Sequence, residues 1–441
     1  MRNLDRRGFL MSAGPAIAAS RLSANDRLRV AVIGLRGRGR ELIEGFHQLA
    51  GQNVEVAALG DVDQSVLAQR AADFEKLARC KAPTFGDMRQ VLDDKSIDAV
   101  GFATPNHWHS LGAIWACQAG KDVYVEKPGS HNLFEGRKLM EAARKYKRIV
   151  QHGTQNRSSP NIVEGIRRLK EGVIGRVYLA RGVAFKGPRA HIGQLGEDPT
   201  PPGLNWEAWS GPAPLKPYSK VRHRFWHQLW DYGNGDIGNQ GVHELDIIRW
   251  ALDLDTHPTK IVSMGGAYIH KDAQEAPQVH AMIYEWAGRD VLVTFETRSG
   301  LTNTEAGMGA EYPFLDKRNV VGVIFIGTEG YMILPDYSSY YTFLGPKRTP
   351  GPKAVGANDI TNLPHFENFI KAVRSRNPAD LTAGPEELHL SSALPHLANI
   401  SYRVGRMLRF DPKTERCLGD EEANKLLTRA YRAPYVVPDK V

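Results

Sequence analysis

The chain is poor in cysteine: Cys80, Cys117 and Cys417 are the only three in 441 residues, and they lie far apart. That scarcity excludes a disulfide framework and any CxxC-type metal site. Long apolar runs are missing too. No stretch approaches the roughly 18 apolar residues that a bilayer-spanning helix needs, so no transmembrane helix is expected. The formal charge is +8, yet acidic residues are interleaved with the basic ones throughout. The one dense basic stretch, Arg36, Arg38 and Arg40, falls inside a glycine-rich turn. Nucleic-acid recognition would need one clustered basic face, so no nucleic-acid partner is expected. No internal repeat is visible.

What is present is an ordinary globular composition, 42% hydrophobic and 24% charged, at a length that suggests two or three domains. Asp5-Arg6-Arg7-Gly8-Phe9-Leu10, followed by the small, weakly apolar run Met11 to Ala19, reads as a twin-arginine export signal. It implies a periplasmic protein that leaves the cytoplasm already folded. The alternative is a basic tail on a cytoplasmic protein. Residues 1–25 are therefore set apart from the fold.

From Leu28 onward apolar strands alternate with helical spacing. Leu28 to Ile33, Val54 to Leu59, Ile97 to Ala103, Val123 to Val125 and Arg148 to Gln151 read as strands; Ser65 to Leu77, Ser110 to Ala119 and Phe134 to Tyr146 read as helices. Helical crossovers between such strands make them parallel and give a doubly wound Rossmann sheet over 26–152. After Gly153 the texture changes. A helix and a strand lead into a Pro-, Gly- and Trp-rich excursion, Lys186 to Asn239, whose length points to a functional segment and whose tryptophans argue against disorder. A helix from Val242, then strands joined by short turns such as Ala287-Gly288, and two closing helices make 153–441 an α+β domain with mainly antiparallel strands.

The turn after the first strand reads Gly34-Leu35-Arg36-Gly37-Arg38-Gly39. Gly34 and Gly39 fit the first and third glycines of GxGxxG, with Arg36 at the second and Gly37 after it. Such a turn brings backbone amides to a pyrophosphate at the helix N-terminus. The second strand ends at Asp61, where an acidic group accepts hydrogen bonds from the adenosine ribose and repels a 2′-phosphate. NAD is thus the expected cofactor, with NADP left open by Arg36 and Arg38. The third strand runs into Thr104-Pro105-Asn106-His107-Trp108-His109, and the fourth into Glu126-Lys127-Pro128. Both strand ends open on the same carboxyl edge.

With these motifs the chain resembles the Gfo/Idh/MocA oxidoreductases, named for glucose-fructose oxidoreductase, inositol dehydrogenase and rhizopine catabolism, over Leu28 to about Leu408. The resemblance implies that Thr104, Pro105, Asn106, His109 and Glu126 border the cofactor, and that Lys127 orients the reacting hydroxyl. An ammonium there would stabilise developing alkoxide character. The family commonly carries DxGxH where this chain has Asn239-Gln240-Gly241-Val242-His243. His243 is the candidate general base, since imidazole takes up a proton near neutral pH. Asn239 can orient a hydroxyl but cannot act as a base. Gln155, Arg157 and Trp230 join them as candidate substrate contacts. No metal is expected, because no histidine spacing resembles a zinc motif. The open second-domain sheet implies a homodimer or homotetramer.

The implied activity is nicotinamide-dependent oxidation or reduction of a secondary hydroxyl on a sugar, sugar derivative or polyol. A second reading uses that oxidation transiently, for glycoside cleavage or epimerisation with no net redox change. A third, of another class, is a non-catalytic nucleotide- or sugar-binding protein, which the intact Glu126-Lys127-Pro128 and His243 disfavour.

Overall fold

The structure is a computed structural model that describes residues 27–187, 190–301, 320–356 and 362–441. The Asp5–Leu10 motif lies outside the described residues.

In the first domain β1 (Leu28–Ile33), α1 (Gly37–Gln48), β2 (Val54–Gly60), α2 (Gln64–Ala78), β3 (Thr84–Phe85) and α3 (Met88–Asp93) are followed by β4 (Ala99–Phe102), α4 (Asn106–Gln118), β5 (Asp122–Val125), α5 (Leu133–Lys145) and β6 (Val150–His152). The strands form a six-stranded sheet in the order β3-β2-β1-β4-β5-β6, with every adjacent pair parallel. Every residue of β4 and β5 is buried, as a sheet covered on both faces requires. The strand order reverses between β1 and β4. That topological switch opens a crevice beyond their carboxyl ends, the place where such sheets bind ligands.

The second domain begins with α6 (Pro160–Lys170) and β7 (Val177–Phe185). Two short helices, α7 (Trp206–Ser210) and α8 (Lys220–Arg224), punctuate the Trp-rich segment before α9 (Val242–Ala251). Next come β8 (Lys260–Gly266), β9 (Val279–Glu285), β10 (Leu292–Arg298), β11 (Val320–Gly327), β12 (Gly330–Leu334), β13 (Tyr340–Leu344) and β14 (Thr349–Ala354). The chain closes with α10 (Leu363–Ser375), α11 (Pro385–Val404), β15 (Leu408–Asp411), β16 (Arg416–Cys417) and α12 (Glu421–Lys425). Among the described residues these strands form a ten-stranded sheet, β14-β13-β12-β11-β7-β10-β9-β8-β15-β16. It is antiparallel except where β10 lies parallel to β7. The tract Thr349-Pro350-Gly351-Pro352 hides β14 from a propensity reading, and the structure tolerates those prolines because β14 is an edge strand.

Packing crosses the sequence division at residue 153. The ring of Phe366 on α10 lies 4.9 Å from Phe46 and 5.2 Å from Tyr124, and a Cβ on Gly45 would stand 2.2 Å from it. Helix α10 therefore completes the first domain's core. Helix α11 serves both: Leu388 packs with the first core, Leu394 and Leu397 with the second. Glu415, beyond β15, accepts hydrogen bonds from Arg137 of α5, from His257 and from His389 of α11, tying the domains together.

Candidate active site

The crevice at the switch point is a cavity of about 360 Å³. Its floor is the turn after β1. Gly34 adopts φ +83°, and a Cβ there would lie 2.7 Å from the Ala103 carbonyl group and the Thr104 nitrogen. A Cβ on Gly39 would sit 1.8 Å from the Gly34 carbonyl oxygen, whereas Gly37 faces open space. No side chain caps α1 at Arg36, so its first amides are left for an anion. Thr104 Oγ1, which borders the cavity, is buried and has no partner among the described residues. A backbone cradle with an uncapped helix N-terminus and an orphaned hydroxyl fits a dinucleotide.

Asp61 stands at the end of β2. Its Oδ2 accepts the Leu35 N–H (2.8 Å) and its Oδ1 the Asp63 N–H (3.0 Å), which fixes the carboxyl against the phosphate turn. Burial pushes it above the usual carboxylate range despite those amides. Asp63 caps α2 through Ser65 and Val66, so Asp61 is spared that duty. Arg36 reaches Asp63 Oδ2 at 2.7 Å. Arg38 turns the other way and donates to Glu126 Oε1 at 2.7 Å.

Glu126 is 3% exposed and is a hub: beside Arg38 it accepts Gln155 Nε2 at 3.0 Å, and Gln155 also holds the Tyr124 hydroxyl at 2.9 Å. Gln155 thus braces Glu126. His109 is likewise a brace, its ring nitrogens lying 2.6 Å from the Pro128 carbonyl oxygen and 2.8 Å from that of Thr104. It links the turns after β4 and β5. Pro105 and Asn106 line the cavity, and Asn106 donates to Asn234 Oδ1 at 3.0 Å.

Lys127 extends to the start of the α9 region, where its Nζ donates to the Asn239 carbonyl oxygen and to Asn239 Oδ1, the latter at 3.2 Å. Asn239 sits in a π-helical turn, Ile237–Gly241, a local irregularity that recurs at functional sites. Burial draws the Lys127 ammonium down to about 8, with Glu126 pulling the other way. His243 lies four residues further on and is 7% exposed. Its Nδ1 is buried with no partner among the described residues. Burial, then the positive charge of Lys127, hold its imidazole well below the ordinary histidine range. The arrangement pairs a cationic donor with a neutral, unsatisfied base.

Three expected substrate contacts go elsewhere, the first of them Gln155, to Glu126 and Tyr124. Arg157 is 7% exposed and grips Asp246 through Nε (2.8 Å) and Nη2 (2.9 Å), so its guanidinium is committed to a buried ion pair. Trp230 lines a separate cavity of about 320 Å³, with Arg403 over its ring at 5.4 Å.

Other residues escaped the sequence reading. Glu244 is fully buried, and burial raises its carboxyl to about 7. Its Oε1 accepts the Tyr337 hydroxyl at 2.6 Å and Gln240 Nε2 at 3.3 Å. The Tyr337 ring lies 5.4 Å from His243. Tyr337 comes from the β12–β13 connection, which no motif marked; Glu244, one position after a recognised histidine, was the available signal. Tyr337→Phe is expected to cost about 1–3 kcal/mol in urea unfolding, since it strips a buried acid of its main partner.

A doubly wound sheet with a phosphate-binding turn, joined to a domain that brings a histidine toward a strand-end lysine, defines a two-domain dinucleotide-binding protein. The chain belongs to the Gfo/Idh/MocA oxidoreductase family: residues 28–154 match its NAD-binding Rossmann fold, and 173–312 with 356–437 match its C-terminal alpha/beta domain. The first domain is accordingly an NAD-binding Rossmann domain. Levoglucosan dehydrogenase of Pseudarthrobacter phenanthrenivorans is 30% identical over 167 residues, 38% of this chain and 36% of that one. Inositol 2-dehydrogenase 2 of Saccharopolyspora erythraea is 28% identical over 226 residues, 51% and 54% of the two chains. An alpha-N-acetylgalactosaminidase of Shewanella oneidensis is 29% identical over 175 residues, 32% and 38%. The chain thus spans between a third and about half the length of these curated relatives. A solved levoglucosan dehydrogenase, in complex with NADH and L-sorbose, shares the fold with a TM-score of 0.65 at 15% identity, covering 87% of this chain and 98% of that one.

Proposed function

We propose that the protein is an NAD-dependent oxidoreductase acting on a secondary hydroxyl of a sugar, sugar derivative or polyol. The observation that carries this is the meeting of Lys127 from the Rossmann domain with the Asn239 turn that leads into His243. NAD, when bound, supplies the hydride acceptor. Lys127 donates to the substrate oxygen and orients it, exchanging its bonds to Asn239 for one to substrate. His243, neutral, takes the hydroxyl proton. Asn239 accepts from a neighbouring hydroxyl. Glu126, held by Arg38 and Gln155, keeps the turn before Lys127 in place. The names of the dehydrogenase relatives support the substrate class.

The glycosidase relative supports a second reading, in which the same oxidation is transient and precedes cleavage. Incubating the protein with NAD and a panel of sugars, polyols and glycosides separates the two. Lasting NADH with a keto product supports net oxidation. Cleaved glycoside without lasting NADH supports the transient cycle, and no change in any compound removes both.

Asp61 sets the cofactor preference. A 2′-phosphate would meet its carboxyl, an unfavourable contact, so NADH is expected to bind at least about tenfold more tightly than NADPH in a fluorescence titration. Arg36, paired with Asp63, is not free to offset this.

The Asp5–Leu10 motif supports export to the periplasm, which fractionation with and without Arg6 and Arg7 tests. Met264, Ile283 and Leu292 are exposed on one face of the large sheet and support self-association through that face.

A further inference from the structure

The turn after β1, the end of β2, the β3–α3 turn and the ends of β4 and β5 account for most of the cavity wall; the remainder comes from the segment of the second domain between Leu204 and Asn239. Ala208, Trp209, His223 and Trp226 line the same cavity as Gly34, Gly37 and Asp61. The segment is fastened there in two places. At the end of β2, Asn205 donates its backbone N–H to the Val62 carbonyl and Gln64 donates to that of Gly203, both at 3.0 Å, and Leu204 forms a bridge with Asp63. At α4, Trp108 Nε1 lies 3.1 Å from the carbonyl oxygens of both Ala208 and Trp209, and His107 Nε2 lies 2.9 Å from the latter.

Aromatic packing stiffens the piece between these anchors. Trp206 and Trp209 are stacked, with centroids 4.5 Å apart and planes 14° apart. Tyr218 and Tyr232 share their cluster, and Val62 of the first domain packs against it. His223 sits near Arg36 and Asp63, and burial, then Arg36, bring its imidazole down to about 4. Flat, uncharged faces therefore stand beside Asp61, at the end of the crevice where the adenosine ribose of a dinucleotide lies.

We propose that this segment is the outer wall of the adenosine half of the dinucleotide site: Trp209, His223 and Trp226 hold the adenine, and NAD enters or leaves only when the segment lifts from β2 and α4. The inference rests on the NAD reading above and extends it to residues outside every Rossmann motif in the chain. Its consequence is slow cofactor release.

The test is NADH dissociation from the full chain, followed by nicotinamide fluorescence in stopped flow as excess NAD displaces it. Loss of a base-stacking face weakens binding by about tenfold to a hundredfold. Trp226→Ala and His223→Ala are each expected to raise the dissociation rate constant within that range, while Trp226→Phe retains most of the slow release. Urea midpoints show whether the variants are folded. In hydrogen exchange, peptides carrying the Gln64 and Asn205 amides should be protected further when NADH is bound. Unchanged dissociation in both folded alanine variants, with no added protection of those peptides, overturns the proposal and leaves the NAD reading intact. Absence of any NADH binding by the wild-type chain overturns both.

Discussion

Replacing Lys127 by methionine is expected to lower the rate of substrate oxidation by about 10²- to 10⁴-fold, the span of a positioned proton donor, and to leave NADH affinity within a few-fold of the wild type. Methionine keeps most of the side chain's length, one heavy atom short, and removes the ammonium. The ammonium is held by Asn239 alone among the described residues, so its loss leaves one carbonyl and one amide oxygen to solvent or substrate. The pH profile separates this role from a structural one. A protonated Lys127 is fully present below about 8 and is lost as pH rises through that value. His243 must be neutral to accept a proton, and it is held so throughout the range above its ordinary value of 6.5. The kcat/KM of the wild type should therefore be level from about pH 6.5 upward and fall beyond about 8. The residual activity of Lys127→Met should lack that alkaline fall. An equal loss at every pH with the fall retained would assign the titration to another group.

Asp246→Ala is expected to destabilise the protein by about 3–5 kcal/mol, because it leaves buried charge without its partner. Asp246 is fully buried and accepts from Arg157 and from the Ser391 hydroxyl, which itself receives Arg249 Nε. Arg157 holds its carboxyl below the usual range against the opposing effect of burial. Arg157→Met alone should cost a similar amount, while the pair Arg157→Met with Asp246→Leu should recover most of it. Urea unfolding of the four proteins gives the coupling. Were Arg157 a substrate contact, its substitution would instead raise KM with little loss of stability.

That ion pair shows where the sequence stopped being readable. The Rossmann half was legible because each of its signals is local: apolar strands, helical spacing between them, a glycine turn, an acidic strand end. The strand-end motifs Thr104-Pro105-Asn106 and Glu126-Lys127-Pro128 were legible for the same reason, and both border the cavity. Partners distant in sequence were not. Nothing in Gly153-Thr154-Gln155-Asn156-Arg157 says that Gln155 braces Glu126 while Arg157 turns inward to Asp246. Tyr337 and Glu244 meet across 93 residues, and Phe366 reaches back to Phe46 across 320. The tryptophans were visible, but their division among loop packing (Trp206), the switch-point cavity (Trp209, Trp226) and a separate cavity (Trp230) depends on how residues 203–230 fold.

The central step of the proposed reaction is hydride transfer between a carbinol carbon and the cofactor. The measurement is the mass of the nicotinamide after the full chain is incubated with NAD and the sugars, polyols and glycosides of the panel, each deuterated at its carbinol carbons. Net oxidation predicts deuterium in the reduced cofactor with at least one compound, and none with Lys127→Met on the same timescale; a closed redox cycle instead returns the deuterium to an altered compound. A cofactor that binds yet stays unlabelled with every compound, while every compound is recovered unchanged, would contradict both.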